Sequence, residues 1–458
     1  MSRNRCLAGL VTSLVAVLMG GCAGSDTPSA QPAPTSTRQA PAATHATTPT
    51  DAATATEPTP APALVAAPAT DITANLSPGA KEDFARGLTL LAASPAEALS
   101  AFDSAFRAHP ELYSAAYNVG VIHLSQGRVK EAKASYEAAL GAKPDFGPAV
   151  VGLASIAEAQ GDLEGARRLL ADILSRTPDA VEVRAAWAGF LARRGDFKAA
   201  REAAIAVLRK DERNARAMLA MGTLYRRQGK LELATMALEQ AYGIEPSLGE
   251  AYAELGLVFM AQGDQAKAVK AFETAANLRP GVAAILNNLG MLRNEVGAYK
   301  GAVEALTEAI KLDGSKPSYH LNLGNALRGD QRYVDAEAAY QQALTVGGGV
   351  PGAAFNLGVL YLDNELPGKD VLTRYKACIE FLRMYEARVK PTGDDADKVA
   401  EYIATSQKAI ETEEKRLERE RRRADERAKD EAEKALKKAQ ETPAPPEVKP
   451  DPAAGGAP

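Results

Sequence analysis

The stretch from Gly249 to Val282 reads GEAYAELGLVFMAQGDQAKAVKAFETAANLRPGV and determines the predicted fold. It is rich in alanine and other strong helix formers, and Gly263 divides it into two helical segments. Glycine adopts the positive φ that commonly ends a helix, whereas Pro280 cannot continue one. The stretch therefore predicts two helices joined by a tight turn.

The same spacing recurs over most of the chain. Alanine returns every 34 residues, at Ala98, Ala132, Ala166, Ala200, Ala234, Ala268, Ala302 and Ala336. A small residue returns with the same period at Gly120, Ala154, Ala188, Gly222, Gly256, Gly290, Gly324 and Gly358. Such residues let two helices cross closely, and a single helix pair cannot bury its apolar face, so the pairs must stack. A fixed period of this length predicts a repeat array.

These positions resemble the tetratricopeptide (TPR) repeat. The unit 249–282 carries its pattern at Tyr252, Leu255, Gly256, Phe259, Gly263, Ala268, Phe272, Ala275 and Pro280. The resemblance implies an all-α fold, a TPR α-solenoid of eight 34-residue helix-turn-helix repeats over residues 79–350. A divergent ninth repeat and a capping helix are expected over 351–410, the latter from about Ala396 to Ile410.

Residues 411–440 hold ten acidic and eleven basic side chains. Opposite charges stand four residues apart in pairs such as Glu411–Lys415 and Glu433–Lys437, a spacing that supports a solvated helix. We expect a long charged C-terminal helix over 411–440, followed by a disordered tail over 441–458. Pairing of this helix with another is the alternative, which its thin line of alanines disfavours.

The N-terminus has the pattern of an exported lipoprotein. Two arginines precede a thirteen-residue apolar run, Leu7–Met19, which is too short to span a bilayer as a helix. The run ends in Gly-Gly-Cys22 and resembles a bacterial lipobox, which implies a signal peptide over 1–21 and a lipid anchor on Cys22. An ordinary signal peptide with an incidental cysteine is the alternative. Residues 22–78, rich in proline, alanine and threonine, are expected to form a disordered tether.

Composition excludes several classes of function. The formal net charge of −4 gives no basic footprint for nucleic acid, and three cysteines and four histidines argue against a disulfide scaffold or a zinc cluster. The sequence contains no hydrolase, metalloprotease or phosphate-binding motif. We therefore predict that the chain is not an enzyme and takes no cofactor, metal or small-molecule substrate.

The best candidate binding residues are Asn288, Asn322 and Asn356, which occupy the sixth position of three consecutive repeats. In similar proteins this position faces the concave surface and holds the main chain of an extended peptide. An amide both donates and accepts hydrogen bonds, so a row of them suits that role. Asn325 and Arg328, one turn further on, are expected to line the same groove. The alternative is that these asparagines hydrogen-bond an adjacent helix.

The overall layout is similar to TPR lipoproteins of Gram-negative envelope machines, such as those that serve gliding motility or pilus secretin assembly. This resemblance implies an outer-membrane lipoprotein whose body lies in the periplasm, bound to the membrane by the lipid on Cys22. Its partners are then envelope proteins that dock in the concave groove of a protein-protein interaction scaffold. The alternative function is an adaptor that recruits or regulates a peptidoglycan hydrolase or a protease.

Overall fold

The computed structural model describes residues 76–441, with side chains described as far as Lys437. Within this range the chain forms helices and no strands. The predicted signal peptide (1–21), the anchor Cys22, most of the tether and the tail beyond 441 lie outside the described residues. Residues 76–78, which the sequence assigned to the tether, belong instead to the folded array: Leu76 is buried, and Pro78 begins the first helix.

Eight repeats each contribute a first and a second helix. The first four pairs are α1 (Pro78–Leu90) and α2 (Pro95–Ala108), α3 (Tyr113–Ser125) and α4 (Val129–Ala142), α5 (Gly147–Ala159) and α6 (Leu163–Arg176), and α7 (Val181–Arg194) and α8 (Phe197–Leu208). The next four are α9 (Ala215–Arg227) and α10 (Leu231–Ile244), α11 (Gly249–Gln262) and α12 (Gln265–Leu278), α13 (Ala283–Glu295) and α14 (Tyr299–Leu312), and α15 (Pro317–Gly329) and α16 (Tyr333–Thr345). A short 3-10 turn, Val346–Gly348, then leads into α17 (Pro351–Asp363), α18 (Val371–Val389) and α19 (Asp394–Glu441). The all-α repeat array expected from the sequence is confirmed.

The first helices pack on one another along the array. Contacts join α3 to α5, α5 to α7, α7 to α9, α9 to α11, α13 to α15 and α15 to α17, whereas no two second helices within the described range make comparable contacts. First helices that touch while second helices stand apart give a stack that curves toward the first helices. The inner surface of the curve is therefore formed by the first helices.

The small residues lie where the two helices of a repeat cross. A Cβ atom added at Gly256 would stand 2.5 Å from the ring of Phe272, closer than any real contact. Ala268 and Phe272 are both fully buried. The repeat spacing therefore reflects a packing requirement, in which a small residue on the first helix admits a large one on the second.

Glycine ends the first helix in six repeats by adopting a positive φ, from 72° at Gly229 to 82° at Gly195. The eighth repeat has Gln331 in the equivalent place, and this residue takes the same left-handed conformation at φ 61°. The turn geometry is therefore kept even where glycine is lost. L-residues rarely adopt this region, so the backbone at Gln331 is strained.

The C-terminal end differs from the sequence-based division into a capping helix and a separate charged helix. Residues 394–441 form one continuous helix of 48 residues. Its first part packs on α18, where Val399 is fully buried and the Ser406 hydroxyl donates a hydrogen bond to Cys378 Sγ at 3.2 Å. Beyond Glu413 the side chains are exposed, and Arg416 forms ion pairs with Glu413 and Glu420. The charged part is thus an extension of the cap.

Candidate partner-binding surfaces on the first helices

The three asparagines predicted to form a row, which we call the asparagine ladder, are buried. Asn288 is 0% exposed, and Asn322 and Asn356 are each 2% exposed. Asn325 and Arg328, on α15, are only half-buried. The structure therefore corrects the expectation of a row of amides that face an open groove.

Hydrogen bonds between neighbouring first helices hold these amides. Asn322 Nδ2 donates to Asn287 Oδ1 at 2.9 Å, and Asn356 Nδ2 donates to Asn325 Oδ1 at 2.7 Å. Asn325 Oδ1 also accepts a hydrogen bond from the Tyr340 hydroxyl at 2.9 Å. This geometry matches the alternative, in which the asparagines join adjacent helices. Binding of a partner by these residues stays a prediction.

Replacing Asn322 by alanine is expected to destabilise the array by about 1–3 kcal/mol, because the buried Asn287 oxygen loses its donor from the next helix. The midpoint of urea-induced unfolding, followed by circular dichroism, measures the effect. Asn277→Ala is the matched control, since Asn277 is exposed on α12. Equal midpoints for the two variants would show that the amide contributes nothing to packing.

Arg328, on α15, interacts electrostatically with the carboxyl group of Asp363, the last residue of α17. Burial raises the pKa of the Asp363 carboxyl, and the positive charge of Arg328 opposes that rise. Arg328 also acts electrostatically on Tyr402 of α19. Among the predicted site residues, Arg328 thus interacts electrostatically with a residue of the C-terminal helix α19.

A cavity lies between the first helices of the third to sixth repeats. Its volume is about 70 Å³, taken as the space open to the centres of water molecules, and its lining is mainly apolar. Phe190, Leu219 and Ala220 are among the apolar lining residues. The asparagine ladder is on other helices, so sequence reasoning did not locate this cavity.

Ion pairs join neighbouring first helices of the array, and one of these pairs, Glu158 with Arg193, lines the cavity. Arg193 binds Glu158 through two hydrogen bonds of 2.8 and 2.9 Å, which joins α7 to α5. Arg226 Nε donates to Glu254 Oε2 at 2.6 Å, which joins α9 to α11. Glu158 and Glu254 are therefore held in ion pairs between helices, with side chains 12% and 8% exposed.

The most buried pair is formed by Arg279 and Glu250, whose side chains are 6% and 8% exposed. Arg279 Nη1 lies 2.9 Å from Glu250 Oε1 but is not aligned for a hydrogen bond, and Glu250 Oε2 has no hydrogen-bond partner within residues 76–441. Burial lowers the pKa of Arg279, and the charge of Glu250 opposes that change. The pair therefore leaves one buried carboxylate oxygen available.

Arg216 is the remaining cation at the cavity. No carboxylate oxygen of the described chain lies within ion-pair distance of it, although Glu245 is near enough to interact electrostatically. Burial raises the pKa of Glu245, and Arg216 opposes the rise. Burial also raises the pKa of Tyr117, in the second repeat, to about 12, again opposed by Arg216.

Two loops of distant repeats come close to each other. A Cβ atom added at Gly281, in the loop after α12, would stand 2.4 Å from the Ser125 carbonyl oxygen at the end of α3. Near this point Gly127 approaches Leu312 of α14. The second repeat therefore approaches the sixth and seventh repeats.

Residues 76–441 contain no cluster of three or more His, Cys, Asp or Glu side chains arranged to hold a metal ion. In the same range, no helix has both the length and the apolar composition needed to cross a bilayer.

Comparison with known proteins agrees with the geometry. One tetratricopeptide repeat model matches residues 123–193, and a second matches 84–145, 190–248, 253–318 and 321–370, together more than half of the chain. No curated protein matches significantly. No catalytic family is found, and TPR families are typically scaffolds for protein–protein interaction.

One solved structure shows the same fold, and a second was compared by similarity alone. The crystal structure of the APC/C hetero-tetramer Cut9–Hcn1 aligns with a TM-score of 0.50 and 17% identity, over 70% of this chain and 69% of that one. A tetratricopeptide repeat protein from Parabacteroides merdae aligns with a TM-score of 0.38 and 18% identity, over 55% of this chain and 100% of that one. The period, the helix pairs and the matched models lead to one conclusion: the chain belongs to the tetratricopeptide repeat family.

Proposed function

We propose that this chain is a lipid-anchored docking scaffold of the bacterial cell envelope. The lipid on Cys22 holds it at the outer membrane, the tether spaces it from the bilayer, and the repeat array binds envelope proteins in the periplasm. The partners are subunits of an envelope machine of the gliding-motility or pilus-secretin type. The observation that carries the docking role is the inner cavity of the array, where an apolar surface lies among charged groups that face the same space.

The lipid anchor is supported by the sequence of the first 22 residues, where a basic start and an apolar run lead to Gly-Gly-Cys. Several acyl chains on one cysteine give stable membrane binding, whereas one chain is marginal. The tether supports the same arrangement, because proline-rich chains extend by about 3 Å per residue. A body held in this way reaches partners well away from the bilayer.

Acylation is tested by growth with labelled palmitate in the presence of wild type, Cys22→Ser and Cys6→Ser. We expect label on wild type and Cys6→Ser, because Cys6 leaves with the signal peptide, and none on Cys22→Ser. Cys22→Ser should also leave the membrane fraction or stay uncleaved. Label on Cys22→Ser would contradict the anchor.

Docking is tested by crosslinking in intact envelopes, followed by purification through the repeat array. Co-purification of motor or secretin subunits is expected. Enrichment of a peptidoglycan hydrolase or a protease would favour the alternative adaptor function. Recovery of only the proteins that a tagged, unrelated periplasmic protein also captures would contradict both functions.

A further inference from the structure

The turn between α3 and α4 is bridged by a hydrogen bond between two side chains. Arg128 Nε donates to His123 Nδ1 at 2.8 Å, so this ring nitrogen carries no proton. The backbone N–H of Arg128 also donates to the His123 carbonyl oxygen at 2.9 Å. The side-chain bond therefore exists only while the imidazole ring is neutral, because the protonated ring has an N–H group at both nitrogens.

Three other repeats build the same turn with a different side chain. Asp162, Asp196 and Asp264 occupy the place of Arg128 in the third, fourth and sixth repeats, and each accepts a hydrogen bond from the backbone N–H three residues further on. Arg128 makes no such bond to the start of α4 within the described residues. Aspartate stays charged down to about pH 5. The second repeat thus has a bond that depends on pH where these repeats have a helix cap.

The later repeats carry other side chains at the position of His123. From the third repeat to the ninth they are Ala157, Leu191, Tyr225, Phe259, Arg293, Leu327 and Tyr361. Histidine is the side chain whose charge ordinarily changes between about pH 5 and pH 8. The apolar, tyrosine and arginine side chains at the equivalent positions keep their charge state over this range. The second repeat therefore differs from the later ones in its response to acid.

The turn is also one of the two loops that come close across the array. Ser125 and Gly127 lie between His123 and Arg128 in the chain. The Ser125 carbonyl oxygen approaches Gly281, in the loop after α12, and Gly127 approaches α14. The bond from Arg128 to His123 thus spans the residues through which the second repeat approaches the sixth and seventh repeats.

Charged groups from both neighbouring helices and from the turn act on His123. Burial lowers the pKa of His123, and the positive charge of Arg128 lowers it further, whereas Glu131 of α4 and Asp103 of α2 oppose the change. Since the pKa in the folded state lies below the ordinary value, the unfolded state binds the proton more readily. The stabilisation is present above about pH 6.5 and is lost as the pH falls below it.

We propose that His123 is a pH switch: its neutral ring holds Arg128 and keeps the α3–α4 turn against the loop after α12, and its protonation releases Arg128 and separates the two loops. A proton on Nδ1 points at the guanidinium group, so that attraction is replaced by repulsion between two cations. A repeat array can open locally while its other repeats stay folded. This inference goes beyond the docking function and requires neither the lipid anchor nor a partner.

Hydrogen exchange of the purified full chain, followed by mass spectrometry, tests the switch. Protection is compared at about pH 7.5 and about pH 5, on either side of the range in which histidine titrates, after correction for intrinsic exchange. We expect residues 120–130 and 279–286 both to lose protection at least about threefold in acid, since losing one hydrogen bond shifts an opening equilibrium by that order. A loss confined to 120–130 would overturn the inference, because the turn would then fray without moving the distant loop.

Variants assign the response to His123. His123→Gln offers an acceptor that does not titrate, so both segments should be equally protected at the two pH values. Arg128→Ala removes the donor, so protection should already be low at neutral pH. His320→Gln is the matched control: His320 Nε2 lies 3.0 Å from the Gly314 carbonyl oxygen, and a histidine that donates to a carbonyl keeps this bond when protonated. This control should respond like wild type.

Two results would overturn the assignment. One is a wild-type response to acid in His123→Gln, and the other is wild-type protection of Arg128→Ala at neutral pH. Circular dichroism of each variant checks that the helix content is unchanged. Neither experiment involves a partner or the membrane, so failure of the switch would leave the docking function standing.

Discussion

Replacing Phe272 by alanine is expected to destabilise the array by about 3–5 kcal/mol, the range found for large core side chains. Phe272 is fully buried, and its ring lies against Gly256 of the partner helix so closely that a Cβ there would stand at 2.5 Å. The crossing of α11 and α12 is therefore built around this ring. Glycine on the opposite helix has no side chain that can move into the vacated volume.

The loss should be local at first, because each repeat contacts only its neighbours in most of the array. Urea unfolding followed by circular dichroism should show a lower midpoint and a broader transition. Hydrogen exchange should be faster in α11, α12 and α13 than in α3 or α5. The matched control is Met236→Ala, since Met236 is on a second helix but 59% exposed. A shift no larger than that of the control would show that the crossing tolerates the cavity.

The repeat fold was predictable because its packing rules are local. Gly256, Ala268 and Phe272 are close in sequence and meet within one repeat, so one 34-residue unit contains the whole contact. The C-terminal boundary was harder. Composition changes near Glu411, but residues 394–441 contain no glycine or proline, and the backbone continues as one helix. The change to a highly charged composition was thus interpreted as the end of the capping helix, although the helix continues.

The candidate site was less predictable because it depends on contacts between repeats. The sequence correctly placed the asparagines of the sixth repeat position on the first helices. Whether their side chains are exposed depends on how closely the first helix of the next repeat packs against them. Asn322 and Asn287 are 35 residues apart, and so are Arg193 and Glu158. The separation equals one repeat plus one residue and can be recognised in the sequence. A search for side chains that can pair at this spacing would have indicated both contacts.

The contact between distant repeats could not be predicted in this way. The contact of Gly281 with Ser125 joins residues more than four repeats apart, so it results from the accumulated rotation between neighbours. A small change in each repeat interface would separate the two loops. The sequence specifies each interface through side-chain shape, and the sum over several interfaces is available only from the structure.

Replacing Arg279 by methionine is expected to cost about 3–5 kcal/mol, the range for breaking a buried ion pair from one side. The change leaves the carboxylate of Glu250 uncompensated, and both side chains are less than a tenth exposed. Methionine keeps much of the aliphatic length that packs on Gly249, where an added Cβ would stand 2.7 Å from Arg279 Cγ. The loss of stability in Arg279→Met then reflects mainly the removal of the positive charge, because the side-chain volume changes little.

A double variant distinguishes the stability that the ion pair contributes from the destabilisation caused by leaving the Glu250 carboxylate buried without its partner. Glu250→Gln combined with Arg279→Met removes both charges, and most of the lost stability should return, because neutral replacements of a buried pair are often tolerated. Arg107→Met is the exposed control: its partner Asp103 is one turn away on α2, the Arg107 side chain is 78% exposed, and the expected change is at most about 1 kcal/mol. The urea midpoints of the three variants and of wild type distinguish the two explanations. If the double variant is as unstable as Arg279→Met, the pair is needed for its geometry between α11 and the loop after α12, and the available oxygen of Glu250 is then held in place by Arg279.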